Sequence, residues 1–228
     1  MSISPANITK YIRHQQEATL TSVRCSHPEE ALLRFIKDME QLCSGARSSI
    51  NPVHISAVFM ATAKVWVAAM GNRKFWSAQF AAHREVEMFL LHKLNLLRLM
   101  LPDTGAQAVS NIMWSSAKLG LTDSEPEMVN SRLERFLLST EAPTAAERPK
   151  AQEVSNLVWA IATMQHTTTS NCFIDMCCAH FGRLMKTSEA REQPNAQNVA
   201  NLLWGLATWG TPRQMRASLT CAVSISAS

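Results

Sequence analysis

The sequence has 228 residues, of which 46% are hydrophobic and 18% are charged, and its formal net charge is +4 at pH 7. A chain of this size and composition can bury a substantial core, which excludes an intrinsically disordered protein. The small positive charge permits a polyanionic partner without requiring one. No run approaches the roughly 18 consecutive apolar residues of a membrane-spanning helix, so no membrane insertion is predicted.

The six cysteines predict reduced thiols rather than disulfides or a metal centre. They form no C-x-x-C pair, and no hydrophobic signal peptide precedes them. Cys177, Cys178 and His180 are close in sequence, but their spacing suits no zinc site. Neither a metal nor any other cofactor is expected.

Residues 1–50 are predicted to be an N-terminal entry or capping region. Ile8, Tyr11 and Ile12 recur at helical spacing, which favours an entry helix. The first 28 residues also hold several basic and hydroxyl side chains against the single acid Glu17, a composition typical of an organellar transit peptide. Both interpretations of residues 1–25 stay open.

Helical patterns follow one another along the rest of the chain, and no segment alternates with period two for long enough to predict a strand. Asn51 and Pro52 are a cap and a first-turn residue for one of these helices. Helices are predicted at about 28–43, 52–70, 75–100, 106–119, 126–138, 150–164 and 171–185, then from 195, with a short final one around 215–219.

One stretch of the chain occurs three times, at intervals of 45 residues. Its copies are AQAVSNIMWSSAKLG, AQEVSNLVWAIATMQ and AQNVANLLWGLATWG. We number the positions within each copy from the shared Ala106, Ala151 and Ala196. The second, sixth and ninth positions are then Gln107, Gln152 and Gln197; Asn111, Asn156 and Asn201; and Trp114, Trp159 and Trp204. A fixed period of this length is the signature of a helical-repeat array.

Each copy is predicted to form a helix that is buried on more than one side. At 100° per residue, the aliphatic positions form one stripe, and the Gln, Asn and Trp positions fall almost opposite. Glu153 is the one ionisable residue between Ala151 and Gln165, whereas an ordinary surface helix has a charged face. The predicted fold class is therefore all-α, a right-handed superhelix (solenoid) of stacked helix-turn-helix repeats.

The predicted domains are the entry region 1–50 and a repeat array over 51–228. Within the array, 51–104 is a degenerate repeat, and 105–149, 150–194 and 195–228 are repeats, the last of them incomplete. Because a solenoid normally finishes on a polar capping face, the array is expected to continue beyond residue 228.

The three copies resemble the inner helix of octotricopeptide repeats, the family of organellar proteins best known from green algae. The resemblance covers about residues 51–210, and SINPVHISAVFMATAKV is similar to the segment that precedes such arrays. Three features depart from the family pattern: the 45-residue period is longer, the usual Pro- and Trp-containing turn is missing, and no C-terminal RAP domain is recognisable.

The resemblance implies sequence-selective binding of single-stranded RNA in a chloroplast or mitochondrion. Such binding would support the stability, processing, splicing or translation of transcripts, together with other organellar RNA-processing or ribosomal proteins. The alternative is a protein-binding scaffold, such as a subunit of an organellar ribosome or processing complex, since helical repeats serve both uses. No catalytic motif is present, so no enzymatic activity is predicted.

Residues that differ between copies are the predicted RNA contacts, because a residue identical in every copy cannot distinguish one base from another. The third, tenth and thirteenth positions are expected on an exposed flank. They supply Ala108, Glu153 and Asn198; Ser115; and Lys118, Thr163 and Thr208. Lys150 and Arg183 are predicted phosphate contacts, although a solvated helix face explains such cations equally well.

The identical Gln, Asn and Trp residues are predicted to be structural. The asparagines are expected to satisfy backbone groups at turns or helix ends of the adjacent repeat. The tryptophans are expected to pack between repeats rather than to stack on bases.

Overall fold

In a computed structural model, the structure describes residues 5–23, 28–70, 81–121, 126–141, 148–165, 169–189 and 193–209. Most of these residues are helical and none forms a strand, so the predicted all-α class is confirmed for them. The helices are α1 (Pro5–Val23), α2 (Pro28–Gly45), α3 (Pro52–Met70), α4 (Ala81–Arg98), α5 (Ala106–Leu119), α6 (Pro126–Thr140), α7 (Ala151–Thr163), α8 (Asn171–Met185) and α9 (Ala196–Trp209). Short 3-10 turns lie at Arg47–Ser49 and Leu101–Asp103.

Local sequence signals explain most of these boundaries. Proline, which suits the first turn of a helix, opens α2, α3 and α6. Asn51 caps α3 as predicted, because the backbone N–H of His54 donates to Asn51 Oδ1 at 3.1 Å. Gly120 ends α5 with φ of 64°, a left-handed conformation that glycine adopts without steric cost.

Some sequence predictions concern residues or properties that the structure does not describe. The spacing-based entry helix is present as α1, while the transit-peptide alternative stays a prediction. The predicted start of a helix near residue 75 and the final short helix at 215–219 lie outside the described residues.

The chain divides into two compact units after Asp103. In the first unit, α1 packs against α2 and α3, and α2 also contacts α3 and α4. The segment 51–104, predicted to be a degenerate repeat, supplies α3 and α4 to this unit. Contrary to the sequence prediction, one of the described helices, α3, is long and apolar enough to span a membrane, and 61% of its 18-residue window is buried.

In the second unit, the three repeated helices pack side by side in chain order. Helix α7 lies between α5 and α9, while α6 packs against α5 and α8, and α8 also contacts α7. The aliphatic stripe of each repeated helix enters one core, which includes Val109, Val154, Leu157, Ile161 and Leu206. Ser110 joins two of the helices directly, because its hydroxyl donates to the backbone oxygen of Glu153 at 2.9 Å.

Candidate functional site

The side of α5, α7 and α9 opposite the core reaches solvent and carries the repeated polar and aromatic residues. We call it the repeat face. All three glutamines are exposed, and the three asparagines are half-buried. Trp114 and Trp159 are half-buried, while Trp204 keeps 46% of its surface exposed. The thirteenth position shares this face, with Lys118 and Thr208 exposed and Thr163 half-buried.

The three tryptophans form a continuous row that one lysine helps to join. The Lys118 ammonium lies 5.5 Å from the ring centroid of Trp114 and 4.5 Å from that of Trp159. The rings of Trp159 and Trp204 follow at a centroid separation of 5.8 Å and an angle of 33°. This last contact is packing between repeats, of the kind predicted for the tryptophans. An exposed cation–π contact contributes about 0.5–1 kcal/mol, so these contacts favour one arrangement of the three rings only weakly.

A chain of amide hydrogen bonds runs beside the aromatic row. Gln197 Nε2 donates to Asn201 Oδ1 at 2.8 Å, and Asn201 Nδ2 donates to Asn156 Oδ1 at 3.3 Å. The second bond joins equivalent residues of two repeats. It links two side chains, whereas the sequence predicts a backbone partner for these asparagines. Gln197 remains exposed and Asn156 half-buried, and each amide has further hydrogen-bonding capacity beyond these two bonds.

The hydroxyls at the thirteenth position are also fixed locally. Thr163 and Thr208 each donate their hydroxyl hydrogen to a backbone oxygen one turn earlier, at Trp159 and Trp204, both at 2.8 Å. A hydroxyl held in this way can only accept a hydrogen bond from a ligand. Lys118, the equivalent residue of α5, can only donate. Among the second, sixth, ninth and thirteenth positions, the thirteenth alone varies between copies. It varies in whether its side chain donates a hydrogen bond to a ligand or accepts one.

The expected exposure of the third position is wrong. Ala108, Glu153 and Asn198 are all buried. For Glu153 and Asn198 the physical reason is helix capping: Glu153 Oε2 accepts from the backbone N–H of Lys150 at 3.0 Å, and Asn198 Oδ1 accepts from that of Asn195 at 3.1 Å. Asn195 Oδ1 in turn accepts from the backbone N–H of Asn198 at 2.9 Å, which completes a capping box. Burial raises the pKa of the Glu153 carboxyl.

The tenth position is buried as well, so the expected exposure of Ser115 is also wrong. Ser115 and its counterpart Ala160 are 0% exposed, and Gly205 is buried. A Cβ added at Gly205 would lie 3.1 Å from the backbone N of Trp159. Small residues occupy the tenth position because neighbouring helices approach closely there. Of the predicted base-contacting residues, Lys118, Thr163 and Thr208 alone reach solvent.

Lys150 and Arg183 border a separate cleft at the N-terminal end of α7. Arg148 lies there too, as do Glu141 from the end of α6 and His180 from α8. None of the Gln, Asn or Trp residues of the repeat face lines this cleft. Sequence reasoning considered His180 only as a zinc ligand and passed over Glu141. The available signal was the three-residue spacing of His180 and Arg183, which places both on one side of a helix.

The buried His180 is neutral and holds Arg183. Its Nε2 lies 2.7 Å from the backbone oxygen of Pro149, so this nitrogen carries the hydrogen and donates. Its Nδ1 then accepts from Arg183 Nη2 at 3.2 Å. Desolvation by burial lowers the pKa of His180, the bond to Pro149 opposes that shift, and the nearby charges of Arg183 and Arg148 add to it.

No family model, curated protein or solved structure matches this chain. The class that the structure defines is an all-helical protein with a repeated helix. The resemblance to octotricopeptide repeats stands on the repeated residues alone.

Proposed function

We propose that this protein binds single-stranded RNA along the repeat face, with its helical hairpins stacked as a right-handed solenoid. The observation that carries the proposal is the row of Trp114, Trp159 and Trp204 on an accessible surface, with the Lys118 ammonium between the first two. Proteins that hold single strands combine aromatic rings, on which bases stack, with cations that meet the backbone. The packing of α5, α7 and α9 side by side in chain order supports the stacked arrangement.

Stacking and amide contacts would supply affinity that is common to all sequences. Each repeat contributes the same Trp, Asn and Gln, so these residues cannot tell one base from another. Selectivity would come from the thirteenth position. There Lys118 favours acceptor groups of a base, whereas Thr163 and Thr208, whose hydroxyl hydrogens are engaged, favour donor groups.

The biological setting is proposed from the family resemblance. In a chloroplast or mitochondrion, such a protein would occupy a transcript segment, shield it, or recruit RNA-processing or ribosomal proteins. Binding alone performs this role, so the proposal assigns no catalytic step and no cofactor.

The test is the affinity for a fluorescently labelled single-stranded RNA, measured by anisotropy with the full chain. Replacing Trp204 with Ala should lower the affinity about tenfold, since stacking on an aromatic ring contributes about 1–3 kcal/mol per base. Leu203→Ala is the matched control, because Leu203 is 44% exposed on the same helix but is not a residue of the repeat face. Equal affinity of wild type and Trp204→Ala, or equal losses in both variants, would contradict the proposal.

A protein-binding scaffold is the second candidate. It is favoured by the exposed apolar side chains of Leu203 and Trp204, which a protein partner could cover. A scaffold predicts that protein partners co-purify with the chain from ribonuclease-treated extract. It also predicts that the chain lacks a salt-dependent affinity for RNA. The RNA proposal requires an affinity that falls as the salt concentration rises.

A further inference from the structure

One flank of α9 is open to solvent, although the same flank of α5 and α7 is buried. It consists of the first, fifth, eighth and twelfth positions of each copy, which lie on one side of a helix. In α5 and α7 all eight of these residues are buried. At the eighth position, Leu203 keeps 44% of its surface accessible, against 1% for Met113 and 0% for Val158. We call the exposed residues of α9 the open flank: Ala196, Ala200, Leu203 and Ala207.

Two contacts show what covers this flank in the other copies. The hydroxyl of Ser110, at the fifth position of α5, donates to the backbone oxygen of Glu153 in α7. Val158, at the eighth position of α7, lies against Gly205 of α9, where an added Cβ would be 3.0 Å from Val158 Cγ1. Each time, the flank therefore holds the next repeated helix. In the second contact, a branched side chain fits over the smallest residue.

The opposite flank of each repeated helix, which receives these contacts, is not available to a second copy of the chain. Its third and tenth positions are buried in all three described copies: Ala108 and Ser115, Glu153 and Ala160, and Asn198 and Gly205. A second copy therefore cannot add to α9 head to tail. The matching surface that a second copy offers is its own open flank, which gives an isologous contact with two-fold symmetry.

The open flank is complementary to itself when two α9 helices run antiparallel. A two-fold axis at the middle of the flank places Leu203 over Ala200 of the partner subunit, and Ala196 opposite Ala207 of the partner subunit. Each leucine then meets an alanine, as Val158 meets Gly205 within one chain. Helix α9 contains no acidic or basic residue, so its two copies bring no like charges together, although each chain carries a net charge of +4.

We propose that the open flank binds the open flank of a second copy, which gives a two-fold symmetric dimer through antiparallel α9 helices. Burial of Leu203 and of the three alanines supplies the apolar contact. A standard interface uses about 20–30 residues from each partner, and one helix supplies far fewer. The dimer is therefore weak and reversible, and it forms as the protein concentration rises.

The test is sedimentation velocity of the full chain, without RNA, over a series of concentrations. The wild type should pass from monomer to dimer. Leu203→Glu should raise the dissociation constant about a hundredfold or more, because the two-fold axis brings two carboxylates into one apolar contact. Leu138→Glu is the matched control, since Leu138 is 61% exposed on α6 of the same unit. It should change the dissociation constant less than about twofold.

A double variant separates dimer contacts from damage to the fold. In Ala200→Lys/Leu203→Glu, the antiparallel register places each new ammonium opposite a new carboxylate of the partner subunit. Dimerisation should therefore recover relative to Leu203→Glu alone. A merely damaged fold cannot regain a partner by a second charged substitution. Circular dichroism of each variant checks that the helices are retained.

A wild type that stays monomeric at every concentration would overturn the proposal and leave the flank to a further repeat or to another protein. Equal loss of the dimer in Leu138→Glu, or no recovery in the double variant, would overturn it as well. Because the measurement contains no RNA, its result is independent of the RNA-binding test. A strand no longer than the three repeats of one copy needs no second copy, so Leu203→Ala remains a valid control for RNA binding.

Discussion

At the scale of single residues, burial decides between structural and ligand-binding roles. Glu153 differs from its counterparts in the other copies, yet it caps a helix and is 8% exposed. Trp204 is identical in every copy, yet it keeps 46% of its surface accessible. Variation between repeats at the third position therefore reflects different local capping solutions. The identical residues and the thirteenth position are the accessible ones on the repeat face.

His180 provides a prediction about pH at this scale. Its lowered pKa means that the folded protein binds fewer protons than the unfolded chain as the pH falls below about 6.5. The free energy of unfolding should therefore fall with decreasing pH in that window, with a single-site slope of at most about 1.4 kcal/mol per pH unit. Urea unfolding at pH 7.5 and 5.5 measures the loss.

In the variant His180→Gln, the amide can still donate to the backbone oxygen of Pro149 but does not titrate. We expect its stability to lose less between pH 7.5 and 5.5 than that of the wild type. The control is the same substitution at His92, which is exposed on the other unit. An identical pH dependence in wild type and His180→Gln would contradict the neutral, buried state of this histidine.

At the scale of elements, the contact between α7 and α9 sets how closely the repeats approach. Gly205 makes this possible, since a Cβ there would lie 3.0 Å from Val158 Cγ1 and 3.1 Å from backbone atoms of α7. The same contact brings Trp159 and Trp204 to 5.8 Å and Asn156 and Asn201 to hydrogen-bonding distance. One small residue in the helix interface thus supports the geometry of the repeat face.

We predict that Gly205→Ala destabilises the protein by about 1 kcal/mol. Alanine gains roughly 1 kcal/mol over glycine in helix propensity, but overpacking against a rigid neighbour costs about 1–3 kcal/mol. The neighbouring atoms are mostly backbone, so the steric cost should prevail. Thermal unfolding measures the change, and tryptophan fluorescence reports any shift of the two rings.

The control for this prediction is Gly45→Ala at the end of α2. No atom lies within 4 Å of a Cβ added there. This substitution should leave stability unchanged or raise it slightly. Equal effects at the two glycines would show that propensity, and not the approach of α9 to α7, governs both.

At the scale of the whole molecule, the net charge of +4 is small, and few cations lie on the repeat face. The affinity for RNA should therefore depend on salt only moderately. For single strands, the logarithm of the affinity falls by about 0.7 per neutralised phosphate for each unit in the logarithm of salt concentration. If the strand extends from the repeat face to the separate cleft, so that Lys118, Lys150 and Arg183 each meet one phosphate, the slope should be about −2.

Anisotropy titrations from low to high salt measure this slope. Lys118→Ala should make it shallower by about 0.7. Lys64→Ala, at an exposed lysine of α3 in the other unit, should leave it unchanged. A much steeper slope, or the same change in both variants, would place the RNA on a basic surface other than the repeat face.

The sequence by itself determined the helices and their register. Periodicity, proline, and caps such as Asn51 act within one or two turns, so the helices from 106 to 119 and from 171 to 185 could be predicted to the residue. The repeat also indicated which residues occupy equivalent places. The repeat could not indicate which flank of each helix stays accessible to solvent.

Only the tertiary structure decided that question, because burial depends on neighbours far away in sequence. The third and tenth positions are buried, while the thirteenth remains accessible. The cleft around Arg183 likewise exists only once α6, α8 and the start of α7 have come together. A helical pattern fixes directions around one axis, and packing alone selects which of those directions meet solvent.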